Sequence, residues 1–469
     1  MGPLRRSAFP EAGPPETVDV LIVGAGVSGL AAAFRLKPRK CTVLERASQI
    51  GGTGAAAVSL SGQQFALAAH YECNLSLDFG KEVLDIYRDL GIVEPRPGTN
   101  SLGFVDRHHH VDPARSEQAI LTDGTLRTRG WRMFASDPVA TRFKDRLLQQ
   151  AGDFCLPTRL SPERAKDAQR RTFRAWLTAE GFESGTELER SMNILLKSDY
   201  GADAALVNAY AGLHYFLCRP YFTTGTETFS PPQGLQYFAD KLLAATPGLD
   251  LRLETLVVRL VPHADHVEVV ALDVGAKRTR RFRARAVVFA APKKVLKYVY
   301  PPDRALFAAN RYAAWITVTF ELKETFPETE LLAWANHVPE RSGVHVGFSW
   351  ANHHTPDQPP IITHYLALPP GKLSHFEVLL ARPGPVVKRC LELMAVLFGR
   401  DLGAITRRVT LQKLGHSMPT PVVGSLFTDP NRHRACPRIA YAGVDTGRLP
   451  VLAEAFDSAL DAVAAIREV

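Results

Sequence analysis

A glycine-rich turn between an apolar run and a helix-forming segment constrains the fold of this chain more than any other feature. Gly24, Gly26 and Gly29 form the pattern G-x-G-x-x-G. The largely apolar run Val18 to Val23 precedes them, and helix-forming residues follow from Leu30 to Leu36. In this context the first glycine permits a tight turn, the second leaves room for a diphosphate, and the third lets the helix pack closely on a sheet. The pattern therefore predicts a dinucleotide-binding unit whose helix N-terminus holds the diphosphate.

The residues after the helix extend this prediction. A second strand, Cys41 to Leu44, ends in Glu45, 21 residues after Gly24. A carboxylate at that point can accept hydrogen bonds from ribose hydroxyls and disfavours a 2′-phosphate. A second glycine pair, Gly51 and Gly52, follows shortly afterwards, and a second close approach of backbone to a diphosphate would need such a pair.

These residues resemble the N-terminal signature of the FAD-dependent amine oxidase superfamily. That signature runs G-x-G-x-x-G, then Glu-Arg or Glu-Ala, then Gly-Gly-Arg, and Glu45 with Arg46 and Gly51 with Gly52 are similar to it. The superfamily includes amine oxidases, protoporphyrinogen oxidases, phytoene desaturases and some fatty-acid isomerases. Thr53 stands where most members carry an arginine that touches the pyrophosphate. Its hydroxyl either replaces that contact or leaves it to another residue.

The resemblance continues through the middle and the end of the chain. Val257 lies where family members usually pack backbone against the adenine. Gly443 and Asp445 belong to a segment similar to the C-terminal flavin motif, with Asp445 in place of the usual glutamate. The resemblance implies that the following helix, predicted over residues 452 to 466 and beginning with Leu452 and Ala453, points its N-terminus at the flavin ring. Its dipole would stabilise negative charge there.

A closer subgroup is suggested by residues 198 to 216, which contain Ser-Asp-Tyr-Gly and Ala-Gly-Leu-His-Tyr-Phe. This block resembles bacterial flavoproteins similar to spermidine dehydrogenase. The resemblance implies an α/β fold: a Rossmann-like FAD-binding domain (GR2-type) and a discontinuous substrate domain of mixed sheet and helices.

The domain boundaries follow from the distribution of these motifs. Residues 1–15 are expected to form a disordered leader. The FAD-binding domain is expected to comprise residues 16–75, 228–300 and 405–469, and the substrate domain residues 76–227 and 301–404. Residues 77–90 are predicted to form a helix closed by Gly91, residues 116–216 a helical insertion, residues 312–368 strands, and residues 385–399 a helix.

Composition restricts the setting of the protein. A formal charge of +8 spread over 469 residues, with no long run of Lys or Arg, predicts no nucleic-acid partner. No apolar stretch approaches the roughly 20 residues that cross a bilayer. The six cysteines show no C-x-x-C spacing, which is typical of a reducing compartment, so a cytoplasmic enzyme is expected. The resemblance to bacterial flavoproteins implies a bacterial one. Cys436 precedes the strand of the C-terminal motif, and noncovalent FAD is therefore the expectation.

Four residues are candidates for the chemistry. His70 and Tyr71 occupy a position where family members approach the flavin, and His70 could accept a proton near neutral pH; its alternative role is in packing. Trp315 stands where many superfamily oxidases carry a lysine. The missing lysine favours a dehydrogenase with another electron acceptor over an oxygen-using oxidase, and both acceptors stay open. Trp315 either forms a wall of the substrate site or belongs to the core. His416 precedes the last flavin segment and either faces the cofactor or packs.

Other polar residues have weaker indications. Asp199 and Glu227 could bind a substrate ammonium, although surface salt bridges are the commoner fate of such residues. His214 and Tyr215 either line the substrate cavity or pack within a helix. The histidine runs at 108–110 and 353–354 lack metal-ligand spacing, so no metal is predicted and residues 108–110 are expected to form a solvated loop.

The sequence thus predicts an FAD-dependent oxidoreductase that oxidises the C–N bond of an amine or polyamine-like small molecule by hydride transfer to the flavin. The alternative is a flavin-dependent desaturase or isomerase that acts on a C–C bond of an apolar substrate. The oligomeric state cannot be read from the residues.

Overall fold

The structure of the protein is a computed structural model. It describes residues 10, 13–37, 39–73, 75–112, 117–120, 126–128, 137–218, 227–327, 333–337 and 344–467. Most of the predicted leader, residues 1–15, lies outside the described residues.

Strands and helices alternate along the described chain. The strands are β1 (Glu16–Val23), β2 (Cys41–Leu44), β3 (Ala56–Val58), β4 (Gln64–Ala66), β5 (Glu72–Cys73), β6 (Leu75–Ser76), β7 (Val93–Pro95), β8 (Ser101–Phe104), β9 (Glu117–Ile120), β10 (Leu126–Thr128), β11 (Thr228–Phe229), β12 (Asp250–Arg252), β13 (Thr255–Pro262), β14 (Val267–Asp273), β15 (Arg278–Phe289), β16 (Arg311–Leu322), β17 (Ala335–His337), β18 (His345–Trp350), β19 (Ile361–Leu368), β20 (Thr406–Thr420) and β21 (Ile439–Tyr441). The helices are α1 (Val27–Arg35), α2 (Lys81–Asp89), α3 (Pro138–Leu148), α4 (Glu163–Lys166), α5 (Phe173–Ala179), α6 (Glu187–Tyr200), α7 (Ala209–Leu217), α8 (Gln236–Ala244), α9 (Leu296–Val299), α10 (Leu373–Ala381), α11 (Pro383–Phe398), α12 (Pro430–His433) and α13 (Leu452–Ala465).

The chain divides into two compact units. The first unit comprises residues 1–55, 236–309 and 427–469, and the second comprises residues 56–235 and 310–426. These bounds place residues 56–75, 228–235 and 405–426 with the second unit and residues 301–309 with the first, which differs from the predicted boundaries. The functional assignment of each domain stays a prediction.

The first unit contains a twisted sheet in which β12, β2, β1 and β15 are parallel neighbours. The end of β15 also pairs in parallel with β21, and its first part forms an antiparallel ladder with β14, which in turn pairs with β13. The carboxyl ends of β1 and β2 lead into the two glycine segments. Such ends are where open α/β sheets bind ligands.

The helices of the first unit follow from its apolar patterning. α1 is rich in alanine, lies against α8 and α13, and buries all but its end residues. The apolar run of β1 is almost wholly buried, with Leu21 and Ile22 fully buried. Strands buried on both faces read as continuous apolar runs, which is why β1 and β2 could be located from the sequence.

The second unit contains a mixed sheet in the order β10, β9, β17, β18, β19, β16 and β20. One face carries a large apolar cluster in which Ile316, Val318 and Phe320 of β16 pack with residues of α10 and α11. The intervening residues of β16, such as Thr317 and Thr319, point to the other face. α6 contacts β18, β19 and β20.

Several predicted elements are found with shifted bounds. The helix expected over residues 77–90 begins at Lys81, with Gly80 as its N-cap residue, and Gly91 follows it with φ +65°. The helix expected over residues 385–399 spans Pro383–Phe398, and Gly399 ends it in the left-handed conformation.

One predicted element is wrong in part. The segment 116–216 was expected to be helical, but β9 and β10 lie within it. β9 pairs in parallel with β17, a partner more than 200 residues away along the chain. Strand formation that depends on such a distant partner cannot be read from local composition. Among the described helices, none has the length and apolar content required to cross a membrane.

Candidate functional site

The glycine turn of the first unit has the geometry of a ligand cradle. Gly24 has φ +103°, and its N–H donates to the carbonyl of Leu44 over 2.8 Å. A Cβ on Gly29 would lie 2.0 Å from the carbonyl oxygen of Gly24, so only glycine allows α1 to begin so close to the strand. Gly26 is different: it has ordinary extended backbone angles, and a Cβ there would lie 3.8 Å from the Cα of Gly52, its nearest neighbour among the described residues. The space in front of Gly26 is therefore open.

The second glycine pair lies against the first turn. Gly51 has φ +105°, forms a bridge to Gly26, and donates to the carbonyl of Ala25 over 2.9 Å. A Cβ on Gly52 would lie 3.2 Å from the Cα of Gly26. The two backbone segments thus approach closely because neither carries side chains between them.

Glu45 braces this turn. One of its carboxylate oxygens accepts from the N–H of Ala25 and the other from the N–H of Ala47, both over 2.8 Å. Each oxygen can accept further hydrogen bonds, so the buried carboxylate remains suited to ribose hydroxyls. Arg46 and Thr53 are both exposed, with Thr53 in the short helical turn Gly52–Gly54.

The C-terminal motif is held by a lysine that the sequence analysis did not identify. The Nζ of Lys293 lies 2.8 Å from Oδ1 of Asp445, and the backbone N–H of Lys293 donates to Oδ2 over 2.7 Å. The lysine side chain is completely buried. Asp445 therefore links the motif to the segment after β15. The only sequence signal was Ala-Pro-Lys-Lys directly after an apolar strand.

Gly443 and α13 complete this region. Gly443 has φ +120°, and its N–H donates to the hydroxyl of Ser458 over 2.8 Å. Among the described residues, no side chain caps the start of α13, which begins with the buried residues Leu452 and Ala453. The first N–H groups of such a helix have no partner within the helix and favour negative charge.

Val257, which the resemblance places near the adenine, is buried at a β-bulge of β13.

These features fit an FAD diphosphate. The open space at Gly26 would be filled by any Cβ, and no described side chain caps the N-terminus of α1. Backbone N–H groups at such a helix start bind phosphate oxygens. Gly26, the first turn of α1 and Glu45 are thus the residues that would hold the dinucleotide.

The second unit contains a cavity whose wall is aromatic and polar. His70 and Tyr71 line it, and their part in the chemistry stays a prediction. The remaining lining residues come from α6, α7, the mixed sheet and the position just before β17: Ser198, Asp199, Tyr215, Trp334, Ala335, Asn336, His337, Val346, Gly347, Phe348, Ser349 and Tyr365.

A carboxylate held by two tyrosines is the most distinctive group in this wall. The hydroxyl of Tyr71 donates to Oδ1 of Asp199 over 2.9 Å, and that of Tyr215 donates to Oδ2 over 2.7 Å. Burial raises the pKa of the Asp199 carboxyl to about 7, and the hydrogen bond from Tyr215 opposes this rise. A proton or a cation from the cavity therefore stabilises Asp199.

The histidines of the cavity are uncharged near neutral pH. Burial lowers the pKa of His70 to about 4, and the backbone hydrogen bond to Ala68 opposes that shift. Burial, and to a smaller extent His70, lower the pKa of His337 to about 4. The Nδ1 of His70 also lies 3.1 Å from the hydroxyl of Tyr365. The structure thus disfavours the expectation that His70 takes up a proton near neutral pH, because its imidazole is a weak base.

Trp315 and His416 are not among the residues that line this cavity. Trp315 lies in β16 within a small buried cluster with Ala313, Val346 and Ala367. Its Nε1 is buried and has no hydrogen-bond partner in the described part of the chain. His416 is half-buried on β20 and contacts the ring of Tyr312 edge-on. Their catalytic roles stay predictions.

For His214 and Tyr215 of α7 the sequence left two roles open, lining the cavity or packing, and the two residues differ. Tyr215 lines the cavity, whereas His214 packs against Phe154 and Tyr210 with its Nε2 3.3 Å from the carbonyl of Cys155. Glu227 does not line the cavity. Arg96 and His110 pair with its carboxylate. Of these two candidate acids, Asp199 is thus the one that lines the cavity.

The expectation of a solvated loop at residues 108–110 is correct for His108 alone, whose side chain is 80% exposed. His109 and His110 are largely buried, with His110 paired to Glu227. They pack against Phe229 because residue 110 bridges to β11. The Nδ1–H of His353 donates to the carbonyl of Trp350, and the Nε2–H of His354 donates to the carbonyl of Ser230.

Comparison with known proteins gives a family match over almost the whole chain. The family model described as flavin containing amine oxidoreductase matches residues 27–467. No curated protein matches the chain in sequence.

Solved structures share the fold at low sequence identity. Putrescine oxidase bound to putrescine has a TM-score of 0.64 at 15% identity, with 97% of this chain and 100% of that chain covered. Cyclohexylamine oxidase from Brevibacterium oxydans has a TM-score of 0.63 at 17% identity, with 96% and 99% covered. A CLA-producing fatty acid isomerase from P. acnes has a TM-score of 0.66 at 17% identity, with 95% and 98% covered.

Proposed function

Because the chain belongs to the family of flavin containing amine oxidoreductases, we propose that it oxidises a carbon–nitrogen bond of an amine that binds beside Asp199. The predicted fold class, the FAD cofactor and the assignment as an FAD-dependent oxidoreductase are confirmed by the family match and by the shared fold. The choice of an amine as the substrate is argued from the residues that line the cavity of the second unit.

The observation that carries this proposal is the carboxylate of Asp199 within an aromatic wall. Aromatic faces attract cations, and Tyr71, Trp334 and Tyr365 line the same cavity. With His70 and His337 uncharged near neutral pH, Asp199 is the charged partner that this wall offers to an ammonium group. An ammonium group beside Asp199 would offset the cost of burying its charge.

Asp199 can also move the proton that an amine must lose before oxidation. An amine enters mainly as an ammonium ion, whereas the form that is oxidised is the neutral amine. The pKa of Asp199 is about 7, which is near neutral pH. A general base is most effective when its pKa lies near the pH at which the enzyme works. The proton would pass from the substrate nitrogen to a carboxylate oxygen of Asp199.

FAD held by the residues of the glycine turns would supply the two-electron oxidant for the carbon next to that nitrogen. The resulting imine is hydrolysed by water to a carbonyl compound and a free amine or ammonia. The tyrosines around Asp199 keep its two oxygens oriented. An electron acceptor must then reoxidise the flavin.

An apolar substrate is less compatible with this cavity. A desaturase or isomerase that acts on a C–C bond would leave Asp199, His70 and His337 against hydrocarbon. Tyr71 and Tyr215 already hydrogen-bond the Asp199 carboxylate, but hydrocarbon would offer its buried charge no cation. The carboxylate therefore favours the amine.

Anaerobic mixing of the flavin-loaded protein with amines tests the proposal. Primary amines should bleach the visible absorption of the flavin, whereas alcohols of the same chain length should not. Substitution of Asp199→Asn should lower kcat/KM by about 10- to 100-fold, which corresponds to the 1.5–3 kcal/mol of a hydrogen bond to a charged group. Glu227→Gln is the matched control, because its carboxylate is paired outside the cavity. Turnover of a polyene or fatty acid without bleaching by any amine would exclude amine oxidation.

A further inference from the structure

Three side chains of the types that bind metal ions meet inside the second unit. They are His345 of β18, His364 of β19 and Cys390 of α11. Their exposed fractions are 4%, 0% and 0%. His364 precedes Tyr365, which lines the substrate cavity. Since neighbouring strand residues point to opposite faces, this cluster lies on the other face of the sheet, which packs against α11.

The donor atoms are close enough to share one ion. The Nε2 of His345 lies 2.8 Å from the Nδ1 of His364. One ligand atom from each of His345, His364 and Cys390 lies within 4.8 Å of the others. Ligands of a bound Zn²⁺ are about 3–4 Å apart, given metal–nitrogen bonds of about 2.0 Å and metal–sulfur bonds of about 2.3 Å. Side-chain adjustments of about 1 Å would therefore form a coordination site.

The surroundings of the cluster are apolar. The ring of His364 lies 5.0 Å from that of Phe348 and 5.5 Å from that of Phe320. The Nε2 of His364 is buried and has no hydrogen-bond partner in the described part of the chain. Buried polar groups in native proteins are normally satisfied, so a second imidazole in this core calls for a reason other than packing.

We propose that His345, His364 and Cys390 form a binding site for a borderline-to-soft transition-metal ion, Zn²⁺ or Cu⁺. Two imidazoles and a thiolate are the ligands that select such ions, whereas Mg²⁺ and Ca²⁺ prefer oxygen. The sequence predicted no metal site, because the three ligands come from separate elements and show no recognisable spacing.

A further sulfur lies on the same side of α11. Met394 is one helical turn after Cys390, and both belong to the same buried cluster. Residues four apart lie on one face of a helix. A thioether is a weak donor that soft ions accept, so Cu⁺ would be able to recruit Met394 as a further ligand.

Binding would exchange protons for the metal ion. The thiol proton of Cys390 would leave to solvent. The proton between the two imidazoles would move to the other nitrogen of its own ring, and two metal–nitrogen bonds would replace the hydrogen bond. Metal binding therefore releases protons and strengthens with rising pH. The ion would join β18, β19 and α11, and it would raise the stability of the folded protein by mass action.

The test uses the full chain with its flavin. The protein is stripped with a chelator, given Zn²⁺ or, without oxygen, Cu⁺, and dialysed. Elemental analysis should find about one retained ion per chain, with a higher thermal unfolding temperature, and Mg²⁺ should not be retained. Cys390→Ser and His364→Gln should each abolish retention.

Matched variants show whether the loss is specific. Cys436→Ser changes another buried cysteine, and His214→Gln changes another buried histidine. Both should retain the ion. If Cys390→Ser does not fold, the Co²⁺-loaded wild-type protein still reports the site, because a thiolate ligand produces a charge-transfer absorption band. Absence of retained Zn²⁺ and Cu⁺ in the wild type, retention undiminished in Cys390→Ser and His364→Gln, or a Co²⁺ spectrum without that band would overturn the proposal.

Discussion

The Nζ of Lys293 lies 2.8 Å from Oδ1 of Asp445, and both side chains are buried. The same ammonium group donates to the carbonyl of Ala442 over 2.5 Å and to that of Ala291 over 3.1 Å. A single lysine thus joins the end of β15 to the segment that carries Gly443. This contact explains why an aspartate rather than an uncharged residue occupies position 445.

Removal of this lysine should weaken both stability and cofactor retention. Lys293→Met leaves the Asp445 carboxylate buried without its cation, and breaking such a pair costs about 3–5 kcal/mol. Urea unfolding should show this loss, and the flavin content of the purified protein should fall with it. The double variant Lys293→Met with Asp445→Leu should recover much of the stability, because no charge is then left unpaired. An unchanged unfolding midpoint in Lys293→Met would contradict the role assigned to the pair.

The glycines of the first turn should separate cofactor binding from folding. Gly26→Val should fold normally and lose most of its flavin, because the backbone at Gly26 is extended and the space ahead of it is open. Gly29→Ala should instead destabilise the protein by about 1–3 kcal/mol, as overpacking does. Flavin absorbance relative to protein absorbance measures the first effect, and urea unfolding measures the second.

Gly384→Ala is the control for these two substitutions, since a Cβ there meets nothing within 4 Å. It should change neither flavin content nor, by more than about 1 kcal/mol, stability. Full flavin content in Gly26→Val would show that the open space at this turn is not the diphosphate site.

Loss of the Tyr215 hydroxyl should shift the pH dependence of turnover. Its hydrogen bond lowers the pKa of the Asp199 carboxyl against the larger effect of burial. In Tyr215→Phe the pKa should therefore rise above about 7, and the pH at which kcat/KM reaches half its maximum should rise too. Tyr210→Phe on the same helix is the control, because its hydroxyl pairs with Ser161. An identical pH profile in wild type and Tyr215→Phe would argue against Asp199 as the base.

Asp199 should also make stability depend on pH in a defined direction. Its pKa is about 7 in the folded protein and 3.8 in its ordinary state, so the folded state binds more protons between about pH 4 and pH 7. The contribution of this group to stability therefore falls as the pH rises through that window. In Asp199→Asn the contribution is absent, so the stability of the variant relative to wild type should increase from pH 4 to pH 7 and then level off.

Urea unfolding at a series of pH values measures this difference. His70 and His337, whose pKa values are lowered to about 4, act in the opposite direction, because they bind fewer protons in the folded state. They are present in both proteins and cancel in the comparison. A difference that stays constant across the window would show that Asp199 is ionised throughout.

Several elements were predictable from the sequence because their signals are local. β2 spans residues 41–44 as predicted, and α1 and α13 lie within a few residues of their expected bounds. Apolar runs, helix formers and glycines with positive φ act over a few neighbouring residues. The strand β9 was missed because its partner β17 is remote in sequence, and β10 joins the sheet only through its pairing with β9.

The sequence by itself determined the glycine turn, the acid at Glu45, the FAD cofactor and the family, since each depends on short motifs whose backbone requirements only certain residues meet. The tertiary structure alone decided that Asp199 rather than Glu227 faces a cavity, that Lys293 holds Asp445, and that His345, His364 and Cys390 converge. These outcomes depend on which distant elements pack together. Packing sets the burial and the partners of each charge, and those surroundings determine what its chemistry can be.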